Sequence, residues 1–132
     1  MFDRVKDSHQ ALHHVVAGDD EHLAALELLL LVVVADRLVS ATELEQVEKE
    51  VEDGGWESPT FNYRERFGPA MASVRNVAVG EAASHVQFCA GRITTPELRR
   101  AVRAACHDVA KADGAEPAAE QEIVAEIDRR LA

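Results

Sequence analysis

The chain has 132 residues, of which 47% are hydrophobic and only 5% aromatic, and it carries a formal net charge of −10. Its length suits a single compact domain over residues 1–132 that buries a real core, and it leaves too little chain for two domains. The negative charge argues against nucleic acid or an anionic membrane as the main partner, because both bind clustered Lys and Arg. It favours cations or proteins with basic surfaces.

The first half of the chain shows apolar residues at helical spacing. The pattern predicts an amphipathic helix over residues 3–16 and a second helix over residues 21–35, which has so little polar face that it should be central. Ser40 and Glu43 form a capping box that begins a third helix, which runs to about residue 53.

The middle of the chain is less regular. Residues 56–68 hold most of the aromatic side chains, and we predict a linker with a short helix there. From Pro69 to residue 89 the pattern predicts two shorter helices with a break near Gly80.

The last part of the chain is again strongly helical. Thr94 or Thr95 caps a helix that Pro96 opens, and Pro117 opens the final helix, which ends at Leu131. The predicted fold is therefore all-α, a single compact bundle of about seven helices.

Cysteine usage and the apolar runs favour a cytoplasmic protein. Cys89 and Cys106 lie in apolar contexts without Cys-x-x-Cys spacing, which indicates buried reduced thiols rather than a disulfide framework or a zinc site. The start of the chain lacks the profile of a signal peptide. The apolar run at residues 23–35 is short and carries Glu27, so it indicates a core helix rather than a membrane span.

The most informative feature is an internal repeat. Residues 35–43 and 112–120 each begin where an apolar run stops, and each places an aspartate seven residues before a glutamate that opens the next helix. Each carboxylate of the second copy lies 77 residues after its counterpart in the first, so that Asp36 corresponds to Asp113 and Glu43 to Glu120. Two pseudo-repeated helix-turn-helix halves, at roughly residues 20–53 and 96–131, could bring all four together about an approximate twofold axis.

Two interpretations of these carboxylates stay open. They can cap helix ends, with Glu43 completing a capping box, and each such contact stabilises by about 1 kcal/mol. Alternatively, oxygens from one or both turns bind a hard divalent cation such as Ca²⁺ or Mg²⁺. A true EF-hand is excluded, because Val109 and Lys111 occupy positions that would open its loop.

The repeated turn resembles that of the TerB-like family, which includes tellurite-resistance proteins. The family pattern is an apolar helix that ends in Ala-Asp-Gly, followed by a hydrophobic residue, Ser or Pro, and Glu, which begin the next helix. Residues 112–114 match its Ala-Asp-Gly, and residues 35–36 match its Ala-Asp. The resemblance covers both turns and their flanking helices. It implies an all-helical fold with pseudo-twofold halves, divalent-metal binding at an acidic surface, a role in responses to tellurite and other stresses, and relatives attached to membrane co-chaperones as interaction domains.

The resemblance also implies which residues bind the metal, since the family's acidic positions fall on Asp36, Glu43, Asp113 and Glu120. Three positions depart from the family pattern. Arg37 replaces the usual glycine and brings a positive charge that weakens cation binding at the first turn. Glu116 occupies a usually hydrophobic position, and Pro117 replaces the capping serine.

Other groups of possible metal ligands or catalytic residues in the sequence give weaker indications of function. His9 and His13 lie one turn apart without a third ligand, a pattern more often found on a solvated face. The sequence has no Gly-rich phosphate loop, nucleophile elbow or paired catalytic motif, so we expect no enzyme activity. The expected function is a non-enzymatic stress-response protein that binds a divalent cation, and the alternative is a metal-free adaptor that uses the acidic face around Glu45 and Glu48.

Overall fold

The computed structural model describes residues 18–35, 39–112, 114 and 117–132, and this part of the chain is all-α. Its six α-helices are α1 (Asp19–Val34), α2 (Ala41–Asp53), α3 (Tyr63–Arg75), α4 (Ala82–Gly91), α5 (Pro96–Lys111) and α6 (Ala118–Leu131). A 3₁₀ turn at Val79–Glu81 precedes α4. The predicted helix at residues 3–16 lies outside the described residues.

Helix α1 is the centre of the bundle. Residues 24–33 are all buried, and Glu27 is the only polar residue among them. A helix that is apolar on every side is stable only when neighbours cover every side, and α1 packs against all five other helices. The predicted central position of this helix is confirmed. No helix in the described ranges has both the length and the apolar character that crossing a bilayer requires.

The first turn of α1 is tied to the start of α5 by Glu21. Its Oε1 accepts hydrogen bonds from the backbone N–H groups of Thr94 and Thr95, at 3.0 and 2.9 Å. Its Oε2 accepts one from the Thr95 hydroxyl at 3.1 Å. The Thr95 side chain does not cap its own helix, so a carboxylate from another helix supplies the anion at the N-terminus of α5.

These hydrogen bonds change the acidity of Glu21. Partial burial raises the pKa of the carboxyl group, but the hydrogen bonds from Thr95 and Thr94 outweigh burial and leave the pKa below its usual value. The ionised carboxylate is therefore stabilised in the folded protein.

Arg99 joins the C-terminal ends of two helices. Its guanidinium donates hydrogen bonds to the carbonyls of Ala90 and Ile93 near the end of α4, at 3.3 and 2.6 Å. It also donates to those of Arg130 and Leu131 at the end of α6, at 2.6 and 3.3 Å. The last carbonyls of a helix lack N–H partners inside it, and a cation there is also favoured by the helix dipole.

One predicted helix boundary was wrong. Helix α3 begins at Tyr63 and continues through Pro69, so no new helix starts at the proline. The true start is set by Asn62, whose side-chain oxygen accepts a hydrogen bond from the N–H of Glu65 at 3.2 Å. Proline favours the first turn of a helix, but here a stronger capping residue lies seven positions earlier.

The other predicted boundaries agree with the structure to within about two residues. The side-chain oxygen of Ser40 accepts a hydrogen bond from the N–H of Glu43 at 3.2 Å, as the capping box predicts. Thr95 is the N-cap of α5. The break expected near Gly80 is the 3₁₀ turn between α3 and α4.

The aromatic segment between α2 and α3 completes the core. Trp56 and Phe61 in this segment are 3% and 0% exposed, and Tyr63, the first residue of α3, is 8% exposed. The ring of His22 on α1 stacks on Trp56 with centroids 5.5 Å apart and meets the edge of Phe61 at 5.7 Å. Trp56 and Phe61 therefore cover the N-terminal part of α1 around His22.

Replacing Glu21 with Ala should lower the free energy of unfolding at neutral pH by about 1–2 kcal/mol, because α5 loses its cap. The folded-state pKa of Glu21 lies below its ordinary value of 4.5, so its contribution is present above that pH and is lost as the pH falls through the folded pKa. The stability difference between wild type and Glu21→Ala should therefore shrink on acidification, as measured by urea denaturation at each pH.

The matched control is Asp20→Ala, which removes an exposed carboxylate from the same helical turn. It should change the free energy of unfolding by about 0.5 kcal/mol or less. An equal loss in both variants would contradict the capping role of Glu21.

Candidate metal centre

Three side chains with different donor atoms meet where α4 packs on the middle of α1. Oε1 of Glu27 lies 3.0 Å from Nε2 of His85 and 3.9 Å from Sγ of Cys89. The sulfur lies 3.6 Å from the same ring nitrogen. We call Glu27, His85 and Cys89 the Glu-His-Cys cluster. It is the one group of three such side chains in the described ranges whose ligand atoms all lie within 4.8 Å of one another.

The packing of α1 explains why the cluster forms. Glu27 lies in the fully buried stretch of α1, so its carboxylate is brought into the interior and is 8% exposed as a residue. His85 and Cys89 are four residues apart on α4 and therefore share a helix face. The thiol is fully buried, while the His85 side chain is 16% exposed and reaches the surface. The Ser73 hydroxyl on α3 donates a hydrogen bond to Oε1 of Glu27 at 3.3 Å.

The cluster does not have the geometry of a nucleophilic triad. In a Cys-His-carboxylate triad the imidazole contacts the nucleophile through one ring nitrogen and the carboxylate through the other. Here Glu27 and Cys89 both contact Nε2 of His85. Burial and the charge of Glu27 raise the pKa of the Cys89 thiol to about 12, so the thiol is neutral at physiological pH. The three donors converge on one point and do not form a proton relay.

Two of the four carboxylates predicted at the repeated turns lie in the described residues, and both are buried. Glu43 is the third residue of α2 and Glu120 is the third residue of α6, and each is 1% exposed. The other two, Asp36 and Asp113, lie outside the described residues. The structure therefore places both glutamates in the interior, whereas solvated caps would leave them at the surface.

One groove lies beside both repeated turns, and we call it the turn groove. Its volume is about 440 Å³. Ala35 and Val39, between α1 and α2, line one part of it, and Ala119 and Glu122, in the first turns of α6, line another. Val39 is 39% exposed. The lining is otherwise largely apolar and includes Leu31, Val34, Val74, Val77 and Ile123.

Sequence reasoning did not find the Glu-His-Cys cluster. It used Glu27 as an argument for a core helix and took Cys89 as a buried thiol. The available signal was the spacing of His85 and Cys89, which places both on one helix face. Glu27 precedes His85 by 58 residues, and only the packing of α1 against α4 brings the third donor to them.

No protein-family model, curated protein or solved structure matches this chain. Its function must therefore be argued from the geometry of its own residues and from the resemblance of its two turns.

Both cysteines should resist chemical modification in the folded protein. Cys89 and Cys106 are each 0% exposed, and burial raises the pKa of both thiols. Labelling by a maleimide near neutral pH should therefore be on the order of a thousandfold slower than in denaturant, because it requires unfolding. Mass spectrometry of timed samples measures both rates, and fast labelling of Cys89 alone would contradict the tight packing of α4 on α1.

Proposed function

We propose that this chain is a non-enzymatic, TerB-like stress-response protein that binds a divalent cation through its two acidic helix junctions. The observation that carries the proposal is that residues beside both turns line the turn groove. Two turns that are 77 residues apart in the sequence thus border one surface of the bundle. That is the condition under which oxygen ligands from both turns can act together.

The local geometry of the two hairpins supports the proposed repeat. Helices α1 and α5 both have 16 residues, and they end at C-cap residues with nearly equal backbone angles, φ −57° and ψ −36° at Ala35 and φ −60° and ψ −34° at Ala112. Helix α1 packs against α2, α5 packs against α6, and the two leading helices pack against each other. An approximate rotation that relates the hairpins would produce this arrangement.

The burial of Glu43 and Glu120 supports a role beyond surface capping. Both glutamates lie at the same position of their helices and are equally buried. Carboxylate oxygens are the preferred ligands of Ca²⁺ and Mg²⁺, and we assign Asp36 and Asp113 as the other two ligands.

The cellular part of the proposal comes from the resemblance of the turns to the TerB-like family. On the basis of that resemblance we propose that the chain acts in responses to tellurite and other stresses. We place the protein in the cytoplasm, where its two free, fully buried cysteines would remain reduced.

Isothermal titration calorimetry with CaCl₂ and, separately, MgCl₂ tests the cation site. The wild-type protein should bind one of the ions with a Kd below about 1 mM. The double variant Glu43→Gln/Glu120→Gln should lose this heat, because an amide replaces each charged ligand. The double variant Asp36→Asn/Asp113→Asn should lose it as well, and it leaves the two buried glutamates in place.

The matched control is Glu45→Gln/Glu52→Gln, which removes the same charge from two exposed positions on α2 that do not line the turn groove. It should bind the ion as the wild type does. Thermal melting followed by circular dichroism verifies that each variant is folded. No heat from the wild type with either ion at millimolar concentration would refute the site.

The turn groove favours a second function, a metal-free adaptor. Its apolar lining and its volume suit the side chains of a partner helix or peptide. The exposed Glu122 at its border and the net charge of −10 favour a partner with basic residues.

Partner capture by tagged protein separates the adaptor from the cation-binding function. Val39→Asp should abolish capture, because it places a charge in the turn groove. Phe88→Asp should not, since Phe88 is a large hydrophobic residue that is 60% exposed and lies outside this groove. If Glu45→Ala/Glu48→Ala abolishes capture and Val39→Asp does not, the partner binds the acidic face of α2 instead.

A further inference from the structure

We infer that the Glu-His-Cys cluster is a metal site of its own, which binds a divalent ion of the zinc class through Oε1 of Glu27, Nε2 of His85 and Sγ of Cys89. A water molecule would occupy the fourth tetrahedral position. The inference goes beyond the proposed function, because it concerns other residues and another class of ion.

The distances between the donor atoms match those around a zinc ion. Bonds of about 2.0–2.1 Å to oxygen and nitrogen and about 2.3 Å to sulfur, at tetrahedral angles, separate an oxygen from a nitrogen by about 3.3 Å and a sulfur from either by about 3.5 Å. The observed separations are 3.0 Å between Glu27 and His85, 3.6 Å between His85 and Cys89, and 3.9 Å between Glu27 and Cys89. Small side-chain movements are sufficient to complete the coordination.

Hydrogen bonding alone accounts less well for the position of the sulfur. A thiol is a weak donor with one hydrogen, yet Sγ of Cys89 is directed at both Glu27 and His85 at long distances. The pair of His107 and Asp128 shows an ordinary hydrogen bond between histidine and a carboxylate, with the ring nitrogen 2.8 Å from the carboxylate oxygen. Within the described ranges that pair belongs to no group of three possible metal ligands, and it serves as an internal comparison.

The donor set selects the class of ion. Sulfur and imidazole nitrogen favour zinc and neighbouring transition ions, whereas Ca²⁺ and Mg²⁺ prefer oxygen alone. One carboxylate, one imidazole and one thiolate give the site two negative charges, which match the charge of the ion. The Glu-His-Cys cluster should therefore discriminate against the hard cations proposed for the turns.

The cluster is held in place before any ion binds. Glu27 lies on the central helix, which is packed on all sides, and the Ser73 hydroxyl hydrogen-bonds the carboxylate oxygen that faces the cluster. Partners of this kind orient a ligand and typically raise metal affinity by about 10–100-fold. The side chains therefore lose little conformational freedom when the ion binds.

An ion can reach the cluster from the surface. A groove of about 320 Å³ is lined by Val77, Glu81, Ser84, His85 and Phe88. Glu81 is exposed and places a carboxylate at the entrance. His85 belongs both to the groove and to the cluster, and its side chain is 16% exposed, so the imidazole connects the cluster to the surface.

Binding releases the thiol proton of Cys89 and transfers no electron. The neutral thiol of Cys89 loses its proton when its sulfur bonds to the ion, and the proton passes to solvent. Glu27 would bind through a carboxylate oxygen and His85 through a ring nitrogen that carries no proton.

Cobalt titration of the full chain tests the inference, because Co²⁺ takes the place of Zn²⁺ and is visible by absorption. The wild type should bind one Co²⁺ with a sulfur-to-cobalt charge-transfer band. Zn²⁺ should displace the cobalt and remove the band, whereas excess Ca²⁺ should not. Cys89→Ser should lose the band, and Glu27→Gln should weaken Zn²⁺ binding by about a hundredfold or more, while Ser73→Ala should weaken it by about tenfold.

Matched controls separate the cluster from other possible ligands. Cys106→Ser removes the other buried thiol, His107→Gln removes the comparable imidazole, and His9→Ala/His13→Ala removes the paired histidines near the start of the chain. All three should keep the charge-transfer band. Zn²⁺ should raise the thermal midpoint of the wild type and of these controls, and it should not raise that of Cys89→Ser.

The inference is overturned if the wild type binds cobalt without the charge-transfer band, or if Cys89→Ser keeps that band. Loss of the band in Cys106→Ser would assign the sulfur ligand elsewhere and would also overturn it. These results do not depend on the calcium and magnesium titrations, so the two metal sites can fail separately.

Discussion

The complete burial of α1 is the constraint on which the rest of the structure depends. Its ten interior residues present apolar side chains in every direction, and only Glu27 interrupts them. A helix of this kind cannot lie on a surface, so the other five helices are arranged around it. The same constraint brings a carboxylate to the centre of the bundle, where Ser73, His85 and Cys89 supply polar atoms around it.

The helices could largely be predicted from the sequence, because their ends carry local signals. Ser40, Pro96 and Pro117 mark helix starts that the structure reproduces to within one residue. Pro69 was misleading, since a proline inside a helix and a proline at its start look alike when the cap before it is overlooked. The cap, Asn62 with Glu65 three residues later, was visible in the sequence.

Of the two candidate sites, the sequence could predict the one that is a local pattern but not the one that tertiary packing forms. The acidic turns are a local pattern that repeats, so the sequence shows them, and Glu43 and Glu120 could be named in advance. Their deep burial could not be foreseen, because exposure depends on which helices cover each turn. The Glu-His-Cys cluster is a product of tertiary packing, and no spacing within one segment predicts the approach of Glu27 to His85. Long-range contacts between polar residues of an apolar core cannot be predicted from the pattern of a single sequence.

The position of α1 in the chain has a consequence for biosynthesis. The ribosome makes residues 24–33 before any of the five helices that cover them, and the roughly hundred residues that follow take about 5–20 s at about 5–20 residues per second. During that interval this apolar stretch is covered by only some of its native neighbours. Newly made chains should therefore depend on chaperones that hold exposed apolar segments, until α6 emerges and the core closes.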